Sequence, residues 1–312
     1  ILKSRGSTLS TSFSLRISFF ISLLVLLCTT TISAQNPAGT KLQIPAPTAP
    51  HQNFKVAIFI PAQTVERMRD PAWLEGTWKQ ISSHIKVDKV YIETYNSHVL
   101  VDGDLIETVK RFFTQHGVEV AGGIAFTDGG DGRSISFSYT DPKTRAYVKH
   151  ISEFTARHFN EIILDDFLFT NTKTPQDIAA KGQKSWTGFR LGLMDEVSQK
   201  LIVDPARAVN PKVHVIIKFP TYYPYFQPLG FDLKNEPHIF DSIYTGTETR
   251  EPAITVPQLQ QYLSYEIIRY FDNVAPGRNG GGWVDSFYIQ YVDRYAEQLW
   301  DTMFAKAPQI ML

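Results

Sequence analysis

The chain has a single cysteine, Cys28, among its 312 residues, and that residue falls inside an N-terminal apolar stretch. A disulfide framework, a thiolate nucleophile and a cysteine metal site are thereby excluded from the rest of the sequence. Net charge is also missing: 31 basic residues balance 31 acidic ones and the pI is near 7.3. No basic field exists to hold nucleic acid, and no polybasic patch exists to hold a membrane surface, so the expected partner is a neutral molecule. The eight histidines form no HxH or HExxH cluster, which argues against a zinc hydrolase. No Gly-x-Ser-x-Gly elbow is present, which argues against an α/β-hydrolase. No glycine-rich fingerprint follows the first strand-like run, where "FIPAQTVERM" stands, and a dinucleotide-binding sheet is disfavoured. Neither a cofactor nor a metal is expected.

What is present begins with an export pattern. Lys3, Arg5 and Arg16 precede the apolar run "ISFFISLLVLLC" at 17–28, and the small residues Ser33 and Ala34 follow. Residues 1–34 therefore read as a secretory signal peptide cut after Ala34. The run is too short for the roughly 20 residues of a membrane span. A secreted or periplasmic bacterial protein with no stable membrane association after signal removal is the expectation. Residues 35–53, rich in Pro, Ala, Thr and Gln, read as a linker. Residues 54–312 then form one large domain, because 43% hydrophobic and 13% aromatic content suffices for a sizeable core.

Within that domain short apolar runs alternate with helical periodicity. The runs are 54–60, 89–95, 118–126, 161–166, 212–220, 239–246 and 280–285, and "PQIML" at 308–312 begins an eighth. Between them Leu105, Ile106, Val109, Phe112 and Phe113 recur at spacings of three and four, as do Val148, Ile151 and Phe154. Leu259, Leu263, Ile267, Tyr270 and Phe271 repeat the pattern, and Tyr291 to Phe304 gives the clearest helix. Near-continuous apolar runs suit strands buried on both faces of a parallel sheet. Eight βα units in about 260 residues predict a (β/α)8 barrel whose eighth strand is cut short at the end of the sequence.

In such a barrel chemistry gathers at the C-terminal ends of the strands. There the sequence places Glu93 (second run), Asp165 and Asp166 (fourth), Lys218 (fifth), Glu248 and Arg250 (beyond the sixth) and Asp285 (seventh). Side chains alternate along a strand, so a regular fourth strand sends only one of Asp165 and Asp166 into the mouth. Asp166, one residue nearer the mouth, is preferred. Aromatic residues accompany the acids, with Tyr95 and Trp283 the candidates for contact with a ligand. Carboxylates beside aromatics suit a sugar, whose ring offers apolar faces and hydroxyls. Glycoside cleavage needs one carboxyl to protonate the leaving oxygen and a second to attack or to activate water. Asp166 and Glu248 are the expected catalytic pair, with Asp165, Glu93, Lys218, Arg250, Asp285, Tyr95 and Trp283 binding substrate or tuning the acids.

"GRNGGGWVD" at 277–285 reads as a flexible rim loop rather than a phosphate loop, since no Lys-Ser or Lys-Thr follows it. "FTDGGDGRS" at 126–134 lacks the spacing of a calcium loop and reads as a loop after the third strand.

The segments "EIILDDFLFTN", "VIIKFPTYY", "IYTGTETRE" and "NGGGWVD" together resemble secreted TIM-barrel proteins of the glycoside hydrolase type over residues 54–312. Acids after the fourth and sixth strands are also similar to the arrangement in α-galactosidase-type and α-glucosidase-type retaining barrels. The lysine-x-aspartate signature of the first of these is replaced here by "IILDDF". The resemblance implies an O-glycosyl hydrolase acting on a carbohydrate. The rival from another class is a barrel that binds carbohydrate without cleaving it.

Overall fold

The structure, a computed structural model, describes residues 49–128, 136–251, 260 and 262–312. The signal segment, most of the linker, Leu259 and the tip of the loop after the third strand lie outside them.

Among the described residues, eight parallel strands form a closed barrel. They are β1 (Lys55–Ile60), β2 (Lys89–Asn96), β3 (Glu119–Ile124), β4 (Glu161–Leu164), β5 (His214–Phe219), β6 (Ser242–Gly246), β7 (Asn279–Trp283) and β8 (Gln309–Met311). Each pairs with the next in sequence, and β1 bonds to both β2 and β8, which closes the ring. A two-residue return strand, Val99–Leu100, folds back antiparallel on the end of β2. The eighth run, expected to be cut short, forms the three-residue β8 and pairs on both sides. Lys55, Val56 and Ala57 pair with Gln309, Ile310 and Met311, while Gly282 and Trp283 pair from the other side. The seventh run, at 280–285, is a strand as expected, and the glycine triplet also read as a rim loop is the body of β7.

Helices α1 (Ala62–Arg67), α2 (Pro71–Ser82), α3 (Gly103–Gln115), α4 (Pro142–His158), α5 (Pro175–Lys181) and α6 (Trp186–Val197) lie between the strands. They continue with α7 (Asp204–Val209), α8 (Phe226–Leu229), α9 (Glu236–Ile239), α10 (Leu263–Val274) and α11 (Val292–Phe304). Their starts follow local chemistry: Asp70, Asp102, Asp141, Thr174 and Ser185 each accept a first-turn amide, and Pro stands in the first turn of α2, α4 and α5. A π-helical segment, Ser198–Val203, joins α6 to α7.

The strands are buried on both faces, as their composition predicts. Ala57, Tyr91, Ala121, Ile163, Ile216, Tyr244, Trp283 and Met311 fill the barrel interior, with Phe59 packed against them. Their neighbours, such as Val90, Ile92, Ile162, Leu164, Val215 and Ile217, face the helices in the larger core. This alternation positions the site. Two residues beyond the inward Tyr91, Ile163 and Ile216 come Glu93, Asp165 and Lys218, so each follows its strand's inner face to the C-terminal mouth.

Candidate active site

Lys218 is the centre of the cluster. Its ammonium lies 3.3 Å from Asp165, 3.2 Å from Asp166 and 2.5 Å from Glu248, and its side chain is 4% exposed. It also sits 4.1 Å above the ring of Trp283. Burial alone disfavours its charge, yet Asp166, Glu248 and Asp165 outweigh that effect and raise its pKa well above the ordinary value. A buried ammonium needs partners of this kind, and here three carboxylates supply them.

Both aspartates reach the ammonium, contrary to the expectation that only one could. The reason is that β4 stops at Leu164. The Asp165 amide still bonds to Ile124, and the Asp166 amide bonds to the Asp165 carboxylate at 2.8 Å. The chain therefore turns between them instead of alternating, and the two side chains converge. Tyr222, on the segment after β5, donates to the Asp166 carbonyl at 3.0 Å and fixes that turn.

The acids differ in their electrostatics. Burial raises Glu248 from 4.5 to about 7; Lys218 opposes the shift, while Asp166 and Asp285 add to it. Burial likewise raises Asp165 from 3.8 to about 6, again against Lys218. Burial thus favours the protonated form of both carboxyls relative to an ordinary acid.

Arg250 and Asp285 form the rim. The guanidinium grips the carboxylate with two bonds, Nε to Oδ1 at 3.0 Å and an amino group to Oδ2 at 2.7 Å. Gln298 of α11 accepts from the Arg250 amide and donates to the Asp285 carbonyl. The pair is about one-third exposed, so its charges reach the mouth.

Three sequence candidates have other surroundings. Glu93 is fully buried and accepts from the Ala62 amide at 2.6 Å and from Asn96 at 3.1 Å, which ties β2 to the start of α1. Burial holds its pKa well above the ordinary range, and the nearby Asp165 reinforces that. Trp283 is 7% exposed and packs on Phe59 with ring centroids 4.4 Å apart. It forms the floor under Lys218 rather than an open stacking face. Tyr95 leaves the site altogether. A bulge shifts the register between Glu93 and Tyr95 and turns Tyr95 outward, where it packs edge-on against Tyr147.

From sequence Tyr222 is one of many aromatic residues around the acids, with nothing to mark its bond to Asp166, and Gln298 is not marked at all. Tyr222 lies in "PTYYPYF", one of several adjacent tyrosines, and Gln298 reads as an ordinary polar position of a surface helix. A separate groove of about 600 Å³ runs outside the barrel between the Tyr223–Leu233 segment and α10, and none of the clustered acids lines it.

Comparisons with known proteins bear on the fold and the family. A family model described as a probable glycosyl hydrolase catalytic domain matches residues 44–312. An uncharacterised protein of Saccharolobus solfataricus is 27% identical over 266 residues, covering 76% of this chain. The match takes in 43% of that relative, so the chain spans less than half its length. The catalytic domain of β-amylase from Paenibacillus polymyxa superposes with a TM-score of 0.55 at 9% identity, over 85% of this chain and 93% of the other. GH5_18-E153A from Streptomyces cattleya, in complex with Manβ1-4GlcNAc, superposes with a TM-score of 0.54 at 10% identity, over 83% of this chain and 70% of the other. At such identity these two show the fold, a (β/α)8 barrel. The family match spans most of the sequence and the whole of that barrel, and the chain belongs to the probable glycosyl hydrolase catalytic-domain family.

Proposed function

We propose that the barrel hydrolyses a glycosidic bond with Asp166 as the attacking carboxylate and Glu248 as the proton donor. The observation that carries this reading is the shared ammonium. Asp166 Oδ2 and Glu248 Oε1 both touch Lys218 Nζ, at 3.2 and 2.5 Å. The two oxygens therefore stand at most about 6 Å apart, short of the roughly 6.5–9.5 Å of inverting pairs. Retention of configuration follows.

The roles follow from the surroundings. Glu248 is the more deeply buried, and its raised pKa suits a group that delivers a proton to the leaving oxygen. Asp166 is more open to the mouth, at 16% exposure, and can meet a sugar carbon. In the first step Asp166 forms a bond to the anomeric carbon as the bond to the leaving oxygen breaks and takes the Glu248 proton. Water then reverses the process, with Glu248 removing its proton. The ammonium stands between the two oxygens, so the sugar takes that place as Nζ moves aside toward Asp165, 3.3 Å away.

Asp165 gives a second assignment some support, because it is also raised, to about 6, and is more exposed than Glu248. In that version Asp165 donates the proton and Glu248 holds Lys218. A barrel that merely binds carbohydrate is less well supported, since binding alone does not call for three carboxylates converging on one buried cation. The N-terminal pattern adds that the enzyme acts outside the cytoplasm, which fractionation of a producing cell would test.

The deciding experiment is hydrolysis of aryl glycosides and a polysaccharide panel by the wild type, Asp166→Asn, Glu248→Gln and Asp165→Asn. Loss of at least ~100-fold in the first two variants supports the proposed pair. A large loss in Asp165→Asn with little loss in Glu248→Gln moves the proton donor to Asp165.

A further inference from the structure

The loop between β7 and α11 carries an arrangement that neither the barrel core nor the acid cluster requires. Phe287, Tyr288 and Tyr291 are 57%, 64% and 61% exposed, a run of large rings on open surface beside the mouth. Phe287 and Tyr288 lean together with ring centroids 4.2 Å apart. The Arg250 guanidinium lies 5.2 Å from the Phe287 ring while it also holds Asp285. Asp285 in turn accepts the Phe287 amide at 3.1 Å. The turn closes with the Ile289 amide on the Ser286 carbonyl, and Tyr288 sits at its third position with a φ of +57°.

That backbone conformation favours glycine or asparagine, and a bulky aromatic there is strained. Strain of this kind persists where neighbouring contacts enforce it, often at ligand sites. The enforcing contacts here are the Asp285 carboxylate and the Arg250 side chain, which bond to each other, while Gln298 ties the Arg250 amide to the Asp285 carbonyl. The rings are thus held outward on a fixed support, against the usual preference for burying them.

Their location gives them a partner. Resting on the hydrolase reading above, Glu248 protonates the leaving oxygen, so the leaving group lies on the Glu248 side of the mouth. Arg250 is two residues from Glu248, and Phe287 stacks on Arg250. We infer that Phe287, Tyr288 and Tyr291 form the subsite for the leaving-group portion of an extended, uncharged glycan, whose sugar rings stack on these aromatic faces. The enzyme then prefers oligosaccharides to glycosides with a small leaving group.

Phe287→Ala and Tyr288→Gly test this, because both positions are too exposed to be needed for folding. Calorimetric titration would use tetrasaccharides of gluco, galacto and manno units in α and β linkage. Hydrolysis of the matching glycosyl fluorides, which carry no leaving-group sugar, would run beside it. Both variants are expected to weaken the bound tetrasaccharide about tenfold, the scale of losing an aromatic anchor, and to leave fluoride turnover unchanged. Tyr288→Gly should also raise Tm by relieving its strained backbone, whereas a structural tyrosine would lower it on removal.

Unchanged tetrasaccharide affinity in both variants, or no tetrasaccharide bound by the wild type, overturns the inference. Equal losses on fluoride and tetrasaccharide overturn the leaving-side placement. Tetrasaccharide binding that depends on these rings in a protein that turns over no fluoride leaves the aromatic subsite standing and removes the hydrolase reading.

Discussion

Lys218 explains why so many acids can share so little space. Replacing it by methionine leaves Asp165, Asp166 and Glu248 facing one another without a cation. A buried pair that loses one partner costs about 3–5 kcal/mol, so Lys218→Met should lower stability on that scale in denaturant titration. The titration of Glu248 makes a second, opposite-signed contribution. Burial raises its folded pKa to about 7 from an ordinary 4.5. An acid raised on folding stabilises below its unfolded pKa, and that stability is lost as pH rises through the folded value. Between pH 4.5 and 7 the wild type should therefore lose stability relative to Glu248→Gln, measured as a Tm difference that narrows or reverses with pH. Activity should fall as pH rises through about 7, where the proton donor is spent. The residues of this cluster were legible in sequence because each lies near or just beyond the end of an apolar run. Their geometry was less so. Alternation from the inward Ile163 carries Asp165 to the mouth, while Asp166 arrives there only because the strand ends and the chain turns.

At the scale of elements, β7 shows what glycine does for the site. A side-chain carbon on Gly281 would stand 2.3 Å from the Gln309 carbonyl of β8 and 2.6 Å from the Tyr244 hydroxyl. On Gly280 the nearest atom would be 3.5 Å away, an ordinary contact. Gly281→Ala should thus destabilise by about 1–3 kcal/mol, the usual cost of overpacking, while Gly280→Ala should change little; chemical denaturation of the two variants checks the contrast. The same close approach explains why a strand of the barrel is built on the glycines of "NGGGW". Two other elements escaped the sequence for physical reasons. The stretch 186–209 is helical throughout, but its π segment at Ser198–Val203 slips the apolar stripe so that no single helical period runs through it. The bulge beside Glu93 sends Tyr95 to the outer core, and no composition signal announces a bulge.

At the scale of the molecule, closure depends on three residues. Gln309, Ile310 and Met311 satisfy β1 on one side and β7 on the other, and Leu312 adds bonds to Ala57 and Phe59. Removing Pro308–Leu312 exposes two strand edges and the interior around Met311, so the shortened chain should lose cooperative unfolding and bind a hydrophobic dye. The barrel as a class was readable from the alternation of runs and helices, because that period is a whole-chain property. What the barrel does rests on a few side chains at one rim. The most direct measurement is the anomeric outcome and rate of glycoside cleavage by the wild type beside Asp166→Asn and Glu248→Gln. The account predicts release of sugar with retained configuration and at least ~100-fold loss in each variant. Inverted product, or full activity in either variant, would contradict it.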